Sequence, residues 1–141
     1  MRDKYYCHGY ELPYVRGTPV EDIYHRIYAK LGRIGVFEIR QYAVIEMPPF
    51  VPLCIDHIGE DCYALSQNKI IEGSVIPDPD MEIRIDHSRK TAEPVAYQDR
   101  SVRKVVYPGP GVVSLRVKNE LASLLDKWLD ELLSQGFIHQ Q

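Results

Sequence analysis

No stretch of this sequence approaches the ~20 consecutive apolar residues that a membrane-spanning helix requires, so no helical membrane anchor is expected. There is no phosphate-cradling glycine loop, no dinucleotide fingerprint and no nucleophile elbow, and neither HExxH nor CxxC occurs. The commonest nucleotide, hydrolase and zinc chemistries are therefore not expected. Cysteine is scarce: Cys7, Cys54 and Cys62 are an odd set without metal-type spacing. Cys54 and Cys62 fall in apolar runs, where a free thiol behaves as a small hydrophobe, and a reducing, cytoplasmic setting accounts for them. The opening Met1-Arg2-Asp3-Lys4-Tyr5-Tyr6 lacks the apolar core of a secretion signal. An excess of positive charge is also missing; the net charge of −3 argues against sequence-independent binding to phosphate backbones. Internal repeats and low-complexity segments are absent too.

What is there suits a packed domain. With 45% hydrophobic and 26% charged residues, the chain has enough apolar surface for a core, and its length fits one domain. Charge is uneven. Residues 56–82 hold seven acids and one lysine, and residues 84–104 hold six basic residues against three acids; two compensating surfaces of one sheet explain this without a ligand. Residues 1–17, with four tyrosines, Pro13 and Gly17, read as an arm laid over a single domain at 18–141.

Thr18-Pro19-Val20-Glu21 predicts a helix start, with Thr18 as cap and Glu21 closing a capping box. Val20, Ile23, Tyr24, Ile27, Tyr28 and Leu31 recur at helical spacing, Gly32 reads as the stop, and His25 falls on the polar side. Residues 34–47 suggest a strand only loosely, and Pro48, Pro49 and Pro52 exclude a central strand over 48–52. Residues 53–58 and 62–67 form a hairpin around Gly59-Glu60-Asp61. A further strand through Ile70 and Ile71 breaks at Gly73, with a second turn at Pro77-Asp78-Pro79-Asp80.

The clearest strand pattern follows. Met81, Ile83 and Ile85 alternate with Asp80, Glu82, Arg84 and Asp86, which predicts one buried and one wet face. With Ser88-Arg89-Lys90 as the loop, 91–98 pairs so that Ile83 meets Val95 and Met81 meets Tyr97; a one-residue slip would set Val95 and Tyr97 among the charges. A strand from Val102 to Tyr107 ends at Pro108-Gly109-Pro110-Gly111. Val117, Leu121, Leu124, Leu125, Trp128, Leu129, Leu132 and Leu133 then make a helical apolar stripe, with Lys118, Glu120, Asp126, Lys127, Asp130 and Glu131 on the rest. Gly136 stops this helix and Phe137 folds back on Leu132. The expected fold is α+β: an N-terminal helix, a central antiparallel meander and a long C-terminal helix packed on the sheet.

Three constellations could carry chemistry. Asp78, Asp80, Glu82 and Asp86, with Asp56, offer oxygen ligands for a hard cation, but the wet face of an amphipathic strand explains them more simply, so no metal and no cofactor is expected. His87 and Glu93 project, under the pairing above, to the Met81–Ile85 face and could act as a general acid–base pair; a structural hydrogen bond closing the hairpin competes with that role. Arg100, Arg103 and Lys104 with Tyr97 and Tyr107, and Gln98 beside Tyr97, form a basic and aromatic binding patch for single-stranded nucleic acid, which the acidic net charge disfavours. Ile-Asp-His occurs twice, at 55–57 and 85–87, and reads as coincidence.

Pro79-Asp80-Met81-Glu82-Ile83-Arg84-Ile85-Asp86-His87 with Ala92-Glu93 and Tyr97-Gln98 resembles the central motif of a bacterial family of unknown function, the 1249 family. The order Gly73, Asp78-Pro79-Asp80, Ala92-Glu93-Pro94, Tyr107, and Trp128 to Gly136-Phe137 is similar to a second such family, the 6908 family of bacterial mobile elements. The resemblance runs from residue 50 to residue 137. It implies an α+β fold and a phage or mobile-element setting, and no activity. A histidine–tyrosine pair associated with the second family is replaced here by Gln67-Asn68.

The expected function is a non-enzymatic accessory domain that binds a protein partner, or a second copy, through the sheet or the tyrosine-rich arm. The alternatives are a hydrolase-like enzyme using His87 and Glu93, with a divalent cation at Asp78 and Asp80, and nucleic-acid binding through 97–107.

Overall fold

Asp22 caps the first helix, its carboxylate accepting the His25 backbone N–H at 3.0 Å; the cap satisfies a donor that the first turn leaves unpaired. A computed structural model describes residues 22–140, so the arm at 1–17 and the helix start at Thr18-Pro19-Val20-Glu21 lie outside the described residues. Helix α1 spans Ile23–Ile34 and buries Ile27, Leu31 and Ile34. The stop is Gly35, at φ 94°, rather than Gly32, which lies inside the helix. Gly35 takes the left-handed conformation that glycine adopts without a Cβ penalty. His25 is half-buried, its Nδ1 2.7 Å from Asp22.

A 3-10 turn at Val36–Glu38 leads into six strands: β1 Tyr42–Ile45, β2 Leu53–Gly59, β3 Cys62–Ile71, β4 Ser74–Asp86, β5 Thr91–Gln98 and β6 Arg103–Val105. They form one antiparallel sheet in sequence order. Helix α2, Leu115–Ser134, follows, capped by Ser114. Ile27, Leu31 and Ile34 of α1 and Leu125, Trp128, Leu129 and Leu132 of α2 share one core with Ile55, Tyr63, Leu65, Met81, Ile83 and Ile85 of the sheet. The α+β architecture with a central meander and helices on the sheet is thus as the sequence predicts.

Three details differ. The β3–β4 turn is Glu72-Gly73, both at positive φ, and Pro77-Asp78-Pro79-Asp80 lies within β4. Pairing of β4 with β5 begins only at Asp80, so Pro77 and Pro79 occupy a stretch with a neighbour on one side, where proline removes no ladder bond. In the β4–β5 hairpin Met81 does face Tyr97, but a bulge at Glu82/Ile83 puts Ile83 opposite Pro94 rather than Val95; a bulge sets two residues against one. The polar face of β4 is also not wet. Glu82 is 4% exposed between Ala64 and Ala96 in the register, and Asp80 is buried as well.

The thiols differ too. Cys54 is free and buried, whereas Cys62 is disulfide-bonded. Of the two thiols, Cys54 alone fits a reducing compartment. No helix among the described residues is long and apolar enough to cross a membrane.

Candidate functional site

His87 and Glu93 do not meet as a hydrogen-bonded pair. Glu93 stands opposite Arg84 across the hairpin, is 2% exposed, accepts the Tyr107 hydroxyl at 2.8 Å and is in direct contact with the Lys118 ammonium. Lys118 also lies 4.8 Å from the centre of the Tyr24 ring. Burial pushes Lys118 down to about 8, against the pull of the adjacent carboxylate, and pushes Tyr107 up to about 12. A carboxylate, an ammonium and a phenol thus close on one another in the interior. The α2 pattern assigns Lys118 to the polar face. The clue to its burial is its place beside Val117 and three residues before Leu121, at the margin of the apolar stripe.

His87 is exposed after β4. Its Nδ1 lies 3.0 Å from the Tyr28 hydroxyl, and its ring is edge-on to Phe37 at 5.0 Å and to Tyr28 at 5.7 Å. Phe37 meets Tyr63 at 6.1 Å, and Tyr63 stacks on His57 at 4.3 Å. The two Ile-Asp-His tripeptides, read as coincidence, thus place both histidines on one band of rings linking α1, the 3-10 turn, β2, β3 and the end of β4. His57 is held there by the Arg40 and Glu60 carbonyls, 3.0 and 3.2 Å from its ring nitrogens. Edge-to-face and stacked rings add rigidity beyond their buried area.

The patch at 97–104 is divided. Tyr97 donates to Asp99 at 2.6 Å; burial and that bond push its hydroxyl well above the usual phenol range. Asp99 also accepts the Ser101 and Val102 amides, so it closes the β5–β6 turn in which Arg100 sits. Arg103 donates to Gln98 at 2.7 Å, and Lys104 is paired with Glu120 of α2. Tyr97, Gln98 and Arg103 come together around a small recess with Asp80, Glu82 and Ala96. Arg103 and Lys104, adjacent on a strand, point to opposite sides, so the cations do not form one track.

The carboxylates considered for a cation are likewise dispersed. Asp78 lies 3.7 Å from Lys69, and Asp86 caps the β4–β5 turn through Ser88 and the Arg89 amide. Among the described residues no group of three or more His, Cys, Asp or Glu is placed to hold a metal ion.

Two surface features were not singled out from sequence. A groove of about 290 Å³ runs between α2 and the sheet, with Met81, Tyr97, Leu124 and Trp128 along it and Lys69, Asp78, Lys127 and Glu131 at its rim; Trp128 donates to Gln67 at 3.0 Å. The other is the edge of the sheet at β1, which has no second neighbouring strand among the described residues. Tyr42 and Val44 are 56% and 46% exposed, next to exposed Phe50 and Val51. The opposite edge, β6, is three residues long and carries Arg103 and Lys104. Short, charged edges resist pairing; β1 carries no charge between Tyr42 and Ile45.

No curated protein and no solved structure matches the chain. The family model described as domain of unknown function (DUF6908) matches residues 22–138, from the α1 cap to just beyond the Phe137 anchor. The chain belongs to the DUF6908 family.

Proposed function

We propose that this chain is a non-enzymatic accessory domain that binds a protein partner through the β1 edge of its sheet. One observation carries this reading: among the described residues β1 combines an edge without a neighbouring strand with exposed Tyr42 and Val44, the combination that invites another strand. The hydrolase reading would need His87 and Glu93 to reach one substrate atom, yet each is held by different neighbours. The nucleic-acid reading would need a continuous basic track, and Lys104 is engaged by Glu120. Kinship to the 1249 family rests on the motif resemblance in β4 and β5, and a mobile-element setting on the resemblance to the 6908 family from Gly73 to Phe137. Protein binding fits such a setting without requiring it.

The test is a photo-crosslinking side chain placed at Val44 or, for comparison, at Leu124 in the groove. Both positions are exposed, so neither substitution disturbs the core. Discrete protein adducts are expected from position 44 in the native host. Adducts from position 124 with none from position 44 would move the working surface to the Trp128 groove and remove the β1 reading.

A further inference from the structure

The His57 ring lies between two oxygens that can only accept. Its Nδ1 is 3.0 Å from the Arg40 carbonyl and its Nε2 3.2 Å from the Glu60 carbonyl. A neutral imidazole carries one N–H, so in either tautomer one nitrogen would turn a lone pair toward a carbonyl oxygen. Only the imidazolium donates at both. His25 and His87 are met differently: the first by a carboxylate at Nδ1, the second by the Tyr28 hydroxyl, which can donate as well as accept. The His57 ring also lies flat on Tyr63, with centroids 4.3 Å and planes 12° apart, and an aromatic face attracts a cation.

Two main-chain segments converge on this ring. Arg40 sits in the bend that leads into β1, and Glu60 in the turn between β2 and β3. The His57 amide itself donates to the Gln41 carbonyl at 2.8 Å. We infer that His57 is a proton-dependent clamp that ties the bend before β1 to the β2–β3 turn. With two protons the ring holds both carbonyls. Transfer of one proton to solvent leaves the other on Nδ1, at the shorter Arg40 bond, and the Glu60 carbonyl, now facing a lone pair, is released to water. The clamp acts whatever partner β1 takes.

The surrounding groups leave the titration to His57. Burial and Asp61 hold the Tyr63 hydroxyl above the usual phenol range, so it stays neutral while an imidazole titrates. The Arg40 and Glu60 side chains are exposed, and Asp56, the preceding residue of β2, projects to the opposite face. Phe37 of the 3-10 turn and Tyr63 separate His57 from His87. The direction follows from counting protons. The folded chain keeps a proton that the unfolded chain gives up as pH rises, so the clamp adds stability at low pH and loses it through the imidazole range.

Nitrogen-15 spectra of the imidazole in the full chain test this directly. Both His57 ring nitrogens should stay protonated to a higher pH in the folded chain than in the same chain unfolded in urea, and the proton that remains above that pH should sit on Nδ1. Protection of the His57 amide, corrected for the intrinsic effect of pH on exchange, should fall about fivefold or more from pH 5 to pH 8. His57→Phe keeps the stack and removes both donors; its urea midpoint should lie below the parent's at pH 5 and approach it by pH 8. If that variant does not fold, the ring spectra and amide protection of the parent decide. A His57 ring that titrates alike in the folded and unfolded chain, or that carries one proton at pH 5, would overturn the inference. So would a gap between parent and His57→Phe that stays constant or widens with pH. A last proton on Nε2 would overturn the release of Glu60.

Discussion

Glu93→Gln is expected to lower folding stability at pH 7 by about 3–5 kcal/mol, because it leaves the largely covered Lys118 ammonium, its side chain 13% exposed, without its counter-charge. The carboxylate is 2% exposed and is closed in by Lys118 and the Tyr107 hydroxyl, so water cannot replace what is removed. Against a total of about 5–15 kcal/mol for a domain, this is a large share. The loss carries a pH signature. Burial lowers Lys118 to about 8 in the fold, whereas an unfolded lysine titrates near ~10.4. Between those values the unfolded chain binds more protons than the folded one, so stability rises with pH across that window. Without Glu93 to hold the charged form, that rise should be larger in the variant, and its deficit relative to the parent should shrink between pH 7 and pH 10. Urea unfolding at both pH values measures it. A deficit that stays constant or grows with pH would show that Lys118 keeps its charge without Glu93.

Phe137→Ala is expected to cost a similar amount, about 3–5 kcal/mol. Gly136 turns the chain at φ 93°, the Phe137 amide donates to the Leu132 carbonyl at 3.0 Å, and the ring lies fully buried in the main core. Truncation empties a site within the main core, whose close packing does not collapse to fill it. Phe137→Leu keeps most of the volume and should cost less than about 1.5 kcal/mol. Equal losses for the two variants, read from urea midpoints, would mean that the helix stop and not the packed ring provides the stabilisation.

This anchor was legible in the sequence, because glycine after an apolar stripe followed by an aromatic residue is a local signal. The same holds for the 53–67 hairpin and for Met81, Ile83 and Ile85, whose alternation set their burial. Features that depend on neighbouring strands were not legible. Pro77 and Pro79 looked like a turn because nothing local reveals that this stretch of β4 has one neighbour. Glu82 looked solvated because alternation separates two faces without saying whether the second is covered. The bulge at Glu82/Ile83 shifts Val95 out of the expected pairing, and it has no glycine to announce it. His87 and Glu93 appeared as a pair for the same reason: their partners Tyr28, Phe37, Tyr107 and Lys118 come from elements distant in sequence. The β1 edge was hidden differently. Residues 34–47 alternate poorly, and only the pairing with β2 shows which of them face outward.

Among the described residues β1 is an open edge of the sheet, and the proposed function requires another strand to complete it. Residue-resolved amide hydrogen exchange at Tyr42 and Val44, compared with Ala43 and Ile45, tests this most directly. Tyr42 and Val44 should exchange much faster than Ala43 and Ile45, whose positions pair with Ile55 and Leu53 of β2. Tyr42 and Val44 amides as slow as those of Ala43 and Ile45 in the isolated protein would contradict it.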